Sequence, residues 1–308
     1  MSRIELDCVK SKYDTDVDVS KITMKLVDTS IELDYKESIL KPYKIVGRGA
    51  YGEVILCRDE TETINVALKI SKDNNEYKMV QELSKLGDVC GIAGMRHIYR
   101  NGSDNFYVMN VYDGDLKFWL YHNINKLTLL NRIEILISIL SQYECLTKYG
   151  LCYTDIKLEN VFYRCVASQL VIHVGDIGGI TVCSTKKGTF TYKSIFSDLR
   201  EIKTPQTIDE TMIWGSVVLL YILLNPDIKL LFAFERYTDR KYKSIDEFMD
   251  IVEHHFKSID YTPSDRIIVK KLVKFCSLTI DILATGPITF VEWFNLLMNE
   301  LKLIYHSE

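Results

Sequence analysis

The 308-residue chain is poor in residues that break or staple structure: it has 5 prolines, 15 glycines and no C-x-x-C pair among its 8 cysteines. So little glycine and proline excludes collagen-like and low-complexity chains. The cysteines at 8, 57, 90, 145, 152, 165, 183 and 276 are dispersed, as are the 6 histidines. Neither a clustered zinc site nor a dense disulfide scaffold is expected from that spacing. Reduced thiols in an intracellular protein are the expectation. Long apolar runs are absent too. The longest, Ile213–Leu224, covers 12 residues and stops at Asn225-Pro226-Asp227. A membrane span needs about 20 residues, so this run predicts a buried core helix and no span. The opening MSRIELDCVKSKYD has no apolar stretch, and no signal peptide is expected. Charge of one sign is not in excess, with 38 Lys and Arg against 42 Asp and Glu. Nothing in that balance calls for nucleic acid or an anionic membrane as partner.

What is present is ordinary core material. Hydrophobic residues make up 47% of the chain and charged residues 26%, which fits a folded globular protein. Residues 1–41 are polar and mixed, and predict an N-terminal extension that packs loosely or adds an edge strand. From Tyr43 the pattern is strand (Tyr43–Val46), glycine-rich turn, strand (Glu53–Cys57), polar turn, strand (Val66–Ile70), an antiparallel meander. A short amphipathic helix over 75–86 and a strand over Phe106–Val111 follow, with a turn at Asp113-Gly114-Asp115. Beyond it, apolar stripes at helical spacing predict helices over 129–146, 210–224, 244–256, 266–280 and 288–304. Sheet first and helix later predicts an α+β protein in two lobes, the junction falling near residues 111–115.

Four local patterns carry chemistry. Gly47-Arg48-Gly49-Ala50-Tyr51-Gly52-Glu53-Val54 is a glycine loop that lets backbone N–H groups approach phosphate oxygens. A dinucleotide site would place a helix directly after the third glycine; here a β-rich segment follows. Lys69 ends the apolar run Val66-Ala67-Leu68 and needs an anion, for which phosphate or a carboxylate is suited. Glu76, seven residues on, is the first candidate carboxylate, and Glu82 the second. Tyr153-Thr154-Asp155-Ile156-Lys157-Leu158-Glu159-Asn160 sets a potential base, a cation and an amide oxygen in one short loop. Val174-Gly175-Asp176-Ile177-Gly178-Gly179 places a hard carboxylate at a flexible turn, which suits a metal ion.

In this order and spacing the four patterns resemble the eukaryotic-type protein kinases, over roughly residues 43–302. The resemblance implies a two-lobed kinase fold: a small β-sheet lobe with one helix over 42–111 and a larger, mainly helical lobe over 112–308. It implies ATP and Mg²⁺ as cofactors, gathered with a protein substrate at one crevice. Gly47, Arg48, Gly49, Ala50, Tyr51 and Gly52 would cover the phosphates, with Lys69 holding them and Glu76 positioning Lys69. Val54, Ala67 and Phe162 would sandwich the adenine ring. Met109 would be the gatekeeper, Asn110, Val111 and Tyr112 the hinge, and Asp115 a neighbour of the ribose. Asp155 would orient the substrate hydroxyl, Lys157 neutralise the transferring group, and Asn160 and Asp176 bind the metal. Gly188–Tyr192 resembles the family's G-T-x-x-Y segment, with Thr189 bridging to Asp155 and Lys157. The helix over 210–224 takes the place of the buried central helix, its family aspartate being Glu210 or Asp209.

The departures are as specific. Tyr153-Thr154-Asp155 stands where the family has His-Arg-Asp, and Thr154 cannot pair with a phosphate as an arginine would. Activity without phosphorylation of the activation segment is the expectation. Asp176-Ile177-Gly178 replaces Asp-Phe-Gly, and Ser194-Ile195-Phe196 stands where Ala-Pro-Glu is usual. A lysine two residues after the aspartate resembles the Ser/Thr-directed pattern. The short helical link and compact length resemble reduced kinases of the casein-kinase and vaccinia-related type and of large DNA viruses. Abundant Ile, Lys, Asn and Tyr fits an AT-rich viral or parasite genome. A pseudokinase scaffold and a small-molecule kinase are the other readings the same motifs allow.

Overall fold

In the computed structural model, the described residues are 32–33, 38–49, 52–60, 62–86, 90, 92, 94–167, 169–183, 207–231 and 244–305. They form two compact units, one comprising Met1–Phe118 with Val161–Gly178, the other Trp119–Asn160 with Gly179–Glu308. The architecture is α+β, with an antiparallel sheet in the first unit and helices in the second.

The first unit holds a six-stranded sheet in the order β1-β2-β3-β4-β6-β5. Its strands are β1 (Glu32–Leu33), β2 (Ser38–Gly49), β3 (Gly52–Asp59), β4 (Ile64–Ser71), β5 (Met95–Asn101) and β6 (Asp104–Asn110). β1 is one edge strand, paired with the start of β2. Alternating apolar side chains from β2–β4 and β6 build the core: Leu40, Ile55, Cys57, Val66, Leu68 and Val108 are buried, with Phe106 and Tyr99 packed against them. Helix α1 (Asn74–Leu86) follows β4 after only Lys72 and Asp73. It starts there because the Asp73 carboxylate accepts from the Asn75 amide at 2.8 Å, the bond a helix N-cap makes. The first unit also contains β7 (Gly114–Asp115), β9 (Val161–Val166) and β10 (Gln169–Val174), a second sheet in the order β10-β9-β7.

The second unit is built on helix α4 (Ile208–Leu224), whose side chains are buried almost throughout. This is the run that is too short to span a membrane, and no helix among the described residues is long and apolar enough to cross one. Helix α2 (Leu116–Asn123) precedes α3 (Leu129–Thr147), and α3, α6 (Pro263–Thr285) and α7 (Phe290–Tyr305) pack on α4, while α5 (Ile245–Ser258) packs on α6. Each start has its own cap: a Thr128/Asn131 capping box for α3, Thr207 for α4, Ser244 for α5, and Thr262 before Pro263 for α6. Buried Arg132 closes the other end of α4 by donating to the carbonyls of Leu224, at 3.0 Å, and Asn225. Two short strands, β8 (Leu151–Tyr153) and β11 (Ile180–Val182), pair antiparallel, and β8 lies against α3 and α4.

One expectation is corrected here. The thiols are not all reduced: Cys152 on β8 and Cys183 just after β11 are joined by a disulfide. Strand pairing brings the two ends together, with Leu151 opposite Val182 and the Cys183 amide donating to the Gly150 carbonyl at 2.9 Å. A separation of 31 residues hides this from any short-spacing rule. Cys57, Cys165 and Cys276 are not in disulfides.

Candidate functional site

In the first unit, β2 and β3 turn at the glycine loop, with Gly47 opposite Val54 and Gly49 opposite Gly52. Ala50 and Tyr51 lie outside the described residues, as does the side chain of Arg48. The glycines differ in why they are glycines. A Cβ on Gly52 would stand 1.9 Å from the Ile70 carbonyl oxygen of β4, so the sheet itself demands a bare backbone there. A Cβ on Gly47 would meet Val54 at an ordinary 3.9 Å. Packing does not explain Gly47, whereas it does explain Gly52.

Lys69 lies on β4, opposite Val54 on β3 and Tyr107 on β6. Its ammonium donates to Glu76 Oε1 and, at 3.1 Å, to Asp176 Oδ1. Glu76 sits in the first turn of α1, where the helix dipole favours a carboxylate. Its second oxygen accepts from the Ser71 hydroxyl at 2.8 Å, and the Ser71 oxygen accepts from the Asp73 amide at 3.1 Å. Glu82 is exposed on the same helix. Burial pulls the Lys69 pKa down, but the charges of Asp176 and Glu76 and their hydrogen bonds outweigh it, and the pKa is raised. The Glu76 side chain is 3% exposed and that of Asp176 37%. Glu76 is therefore committed to the lysine and Ser71, while Asp176 is partly open to solvent. Asp176 has a positive φ of 50°, an uncommon backbone state for a non-glycine residue and one that often marks a functional position.

Ala67 pairs with Met109 across β4 and β6, and the chain leaves β6 through Asn110, Val111 and Tyr112. This segment is held on two sides. The Asn110 amide donates to the Gly94 carbonyl at 3.0 Å, and the Asn110 side-chain oxygen accepts from Arg96 at 2.7 Å. The Tyr112 hydroxyl accepts from the Gly94 amide at 2.9 Å, and its ring stacks on Phe162, centroids 5.6 Å apart. Phe162 in turn lies against Gly175, where a Cβ would fall 2.0 Å from its ring. Arg164, absent from the sequence-based site, donates to the Val111 carbonyl and sits 5.3 Å over the Tyr112 ring. Its position two residues after Phe162 on one strand, hence on the same face, was the only available signal. Asp115 caps α2, accepting from the Phe118 amide at 2.8 Å.

In the second unit, the loop after β8 folds on itself. Asp155 Oδ2 accepts from Lys157 Nζ at 2.7 Å and from Asn160 Nδ2 at 2.8 Å. The same Asn160 nitrogen donates to the Asp155 carbonyl at 2.9 Å, so both amide hydrogens are engaged and the amide oxygen is turned the other way. An amide oxygen so oriented is a hard donor of the kind Mg²⁺ accepts, and so, taken by itself in the first unit, is the Asp176 carboxylate. No group of three or more His, Cys, Asp or Glu side chains forms a self-sufficient metal site among the described residues. Below the loop, Ile156 fills the space left by Gly215 of α4, where a Cβ would come within 2.9 Å. Tyr153 is fully buried and stacks on Tyr143 of α3, centroids 5.1 Å apart. Thr154 is buried, and both its amide and its hydroxyl donate to the Gly179 carbonyl. Asp209 caps α7 through the Phe290 amide at 2.8 Å, while Glu210 is buried in α4. Gly188–Tyr192 and Ser194–Phe196 lie outside the described residues.

Comparison with known proteins agrees with this arrangement. Residues 40–287 match the protein kinase domain family. Calcium-dependent protein kinase 4 of Plasmodium falciparum (isolate 3D7) is 28% identical over 200 residues, covering 60% of this chain and 37% of that protein. Its namesake in Plasmodium berghei (strain Anka) is 27% identical over the same length. The cGMP-dependent protein kinase of Plasmodium berghei is 30% identical over 149 residues, 45% of this chain and 17% of that protein. The chain thus spans little more than a third of the length of the first two relatives. It belongs to the protein kinase domain family, whose members transfer phosphoryl groups to proteins using ATP and a divalent metal.

Proposed function

We propose that the protein is an active serine/threonine kinase that uses ATP with Mg²⁺. The observation that carries the reading is the Lys69 ammonium held between Glu76 and Asp176, with a second cluster of Asp155, Lys157 and Asn160. The reading requires both clusters to act on one bound ATP. The glycine loop and Lys69 hold its phosphates, Glu76 keeps Lys69 in place, and Val54, Ala67, Phe162 and residues Met109–Tyr112 receive the adenine, with Asp115 near the ribose. Asn160 and Asp176 hold Mg²⁺, which neutralises phosphate charge. Asp155 orients the acceptor hydroxyl and Lys157 steadies the group in transfer. The protein's contribution is positioning and electrostatics. Lys157, two residues after Asp155, supports the serine/threonine assignment, as do the compact kinases of casein-kinase and viral type that the sequence resembles. An intracellular site of action goes with this reading.

Thr154 in place of arginine and Ile177 in place of phenylalanine favour a second reading, a nucleotide-binding scaffold. One assay separates the two. Purified protein is given radiolabelled ATP and Mg²⁺ with casein, histone and myelin basic protein, beside Asp155→Ala. Label on Ser or Thr of an acceptor, lost in the variant, supports the kinase. Nucleotide binding without transfer in either protein supports the scaffold and overturns the first reading.

A further inference from the structure

In the protein kinases that this chain resembles, an arginine beside the catalytic aspartate can hold a phosphorylated activation segment. Thr154 offers no charge for that, so the start of the segment after Asp176 needs another anchor. The second unit contains one, made at two points. Near the loop, the Gly179 carbonyl accepts from the Thr154 amide at 2.8 Å and from its hydroxyl at 3.2 Å. Gly179 sits tightly: a Cβ there would lie 3.0 Å from both the Asp155 side chain and the Tyr153 ring. At the far end, the Cys152–Cys183 disulfide closes the β8–β11 pair. Cys152 lies three residues before Asp155 and Cys183 seven after Asp176.

We propose that the Cys152–Cys183 disulfide is a thiol-reversible lock that holds β11 on the strand leading into Asp155, so that redox state sets the activity of this kinase. The proposal rests on the kinase reading above. Disulfides inside cells are commonly transient and redox-sensing, and this one is reachable from one side. Cys152 is buried, whereas Cys183 is only half-buried. A small thiolate attacks the Cys183 sulfur, and Cys152 leaves and is protonated. A second thiol then attacks the mixed disulfide and releases Cys183, so two small thiols become one small disulfide. Glutathione disulfide reverses the sequence. Without the bond, what keeps β11 includes three residue pairs, the Cys183–Gly150 backbone bond and the Thr154–Gly179 contact. Short two-stranded ladders are marginal by themselves, so reduction loosens β11 and raises the share of molecules with it released.

The test compares protein purified without reductant, the same protein treated with dithiothreitol, and Cys183→Ser. Alkylation and mass spectrometry report the bond in each. If reduction leaves about one molecule in ten held, the rate of casein phosphorylation falls about tenfold. The KM for ATP should change little, because neither the Lys69–Glu76 pair nor strands β2–β4 include a residue of the β8–β11 pair. Glutathione disulfide should restore the rate. Cys183→Ser should match the reduced enzyme and ignore dithiothreitol. A Cys183→Ser enzyme as fast as the oxidised protein overturns the proposal, and so do free thiols at 152 and 183 before any reductant is added. Hydrogen exchange separates this outcome from failure of the kinase reading. The Thr154 and Cys183 amides should exchange faster on reduction even if no phosphate is transferred. Equal exchange in both redox forms overturns the lock whatever the activity.

Discussion

Thr154 gives two hydrogens to one oxygen: its amide and its hydroxyl both reach the Gly179 carbonyl, at 2.8 and 3.2 Å. A residue that stands where its family has a charged side chain is thus spent on a neutral backbone contact. Thr154→Val keeps the shape and the amide bond but loses the hydroxyl bond, which should cost about 1 kcal/mol. Differential scanning calorimetry should show a drop in Tm of about 2–4 °C, and Thr154→Ser should recover most of it.

With no arginine at 154, Thr185→Ala should keep wild-type activity. Thr185 lies outside the described residues, so the expectation rests on position 154 alone. A large loss in Thr185→Ala that Thr185→Glu rescues would contradict it.

The two glycines of the turn should separate under substitution. Gly52→Ala places a Cβ 1.9 Å from the Ile70 carbonyl, and overpacking of that kind costs about 1–3 kcal/mol. Thermal unfolding without nucleotide should show the loss. Gly47→Ala should leave the unliganded Tm unchanged, because its new contact is an ordinary 3.9 Å. Weaker ATP binding in Gly47→Ala would then assign that glycine to the nucleotide.

Asp155→Ala should lower the rate of phosphoryl transfer by about a thousandfold, the scale of losing a positioned base and its electrostatic contribution. ATP affinity, measured by calorimetry, should change little. An Asp155→Ala enzyme with undiminished turnover would remove this residue from the chemistry.

Lys69 has a raised pKa, above its ordinary 10.5. A cation whose folded pKa is raised contributes stability that is complete below the unfolded value and lost as pH rises through the folded one. The stability gap between wild type and Lys69→Met, followed by urea unfolding, should therefore be flat through neutral pH. It should shrink only in strongly alkaline solution. A gap that closes between pH 6 and pH 8 would contradict the Lys69–Glu76–Asp176 contacts.

The strands around the glycine turn, the long helices and the chemical motifs were legible because each rests on local pattern: period two, period three to four, or a fixed spacing. The sequence left Glu76 and Glu82 as alternatives, since both lie on α1. Three dimensions separate them, because Ser71 and Asp73 draw the first turn of the helix toward Lys69. β5, reading Met-Arg-His-Ile-Tyr-Arg-Asn, escaped notice because polar residues interrupt its apolar positions at an edge of the sheet. Arg164 and the Cys152–Cys183 bond escaped for another reason: each meets a partner far away in the chain, and only strand pairing brings them together.

The two-residue connection from β4 to α1 has a mechanical consequence. Lys72 and Asp73 can extend by no more than about 7 Å, and Asp73 is already tied to Ser71 and to the helix start. A helix on so short a leash cannot swing outward while β4 stays in its sheet. Withdrawing Glu76 by displacing the whole helix, as an off position would require, means tearing the end of the strand. On the kinase reading, control by an outward swing of this helix is not expected.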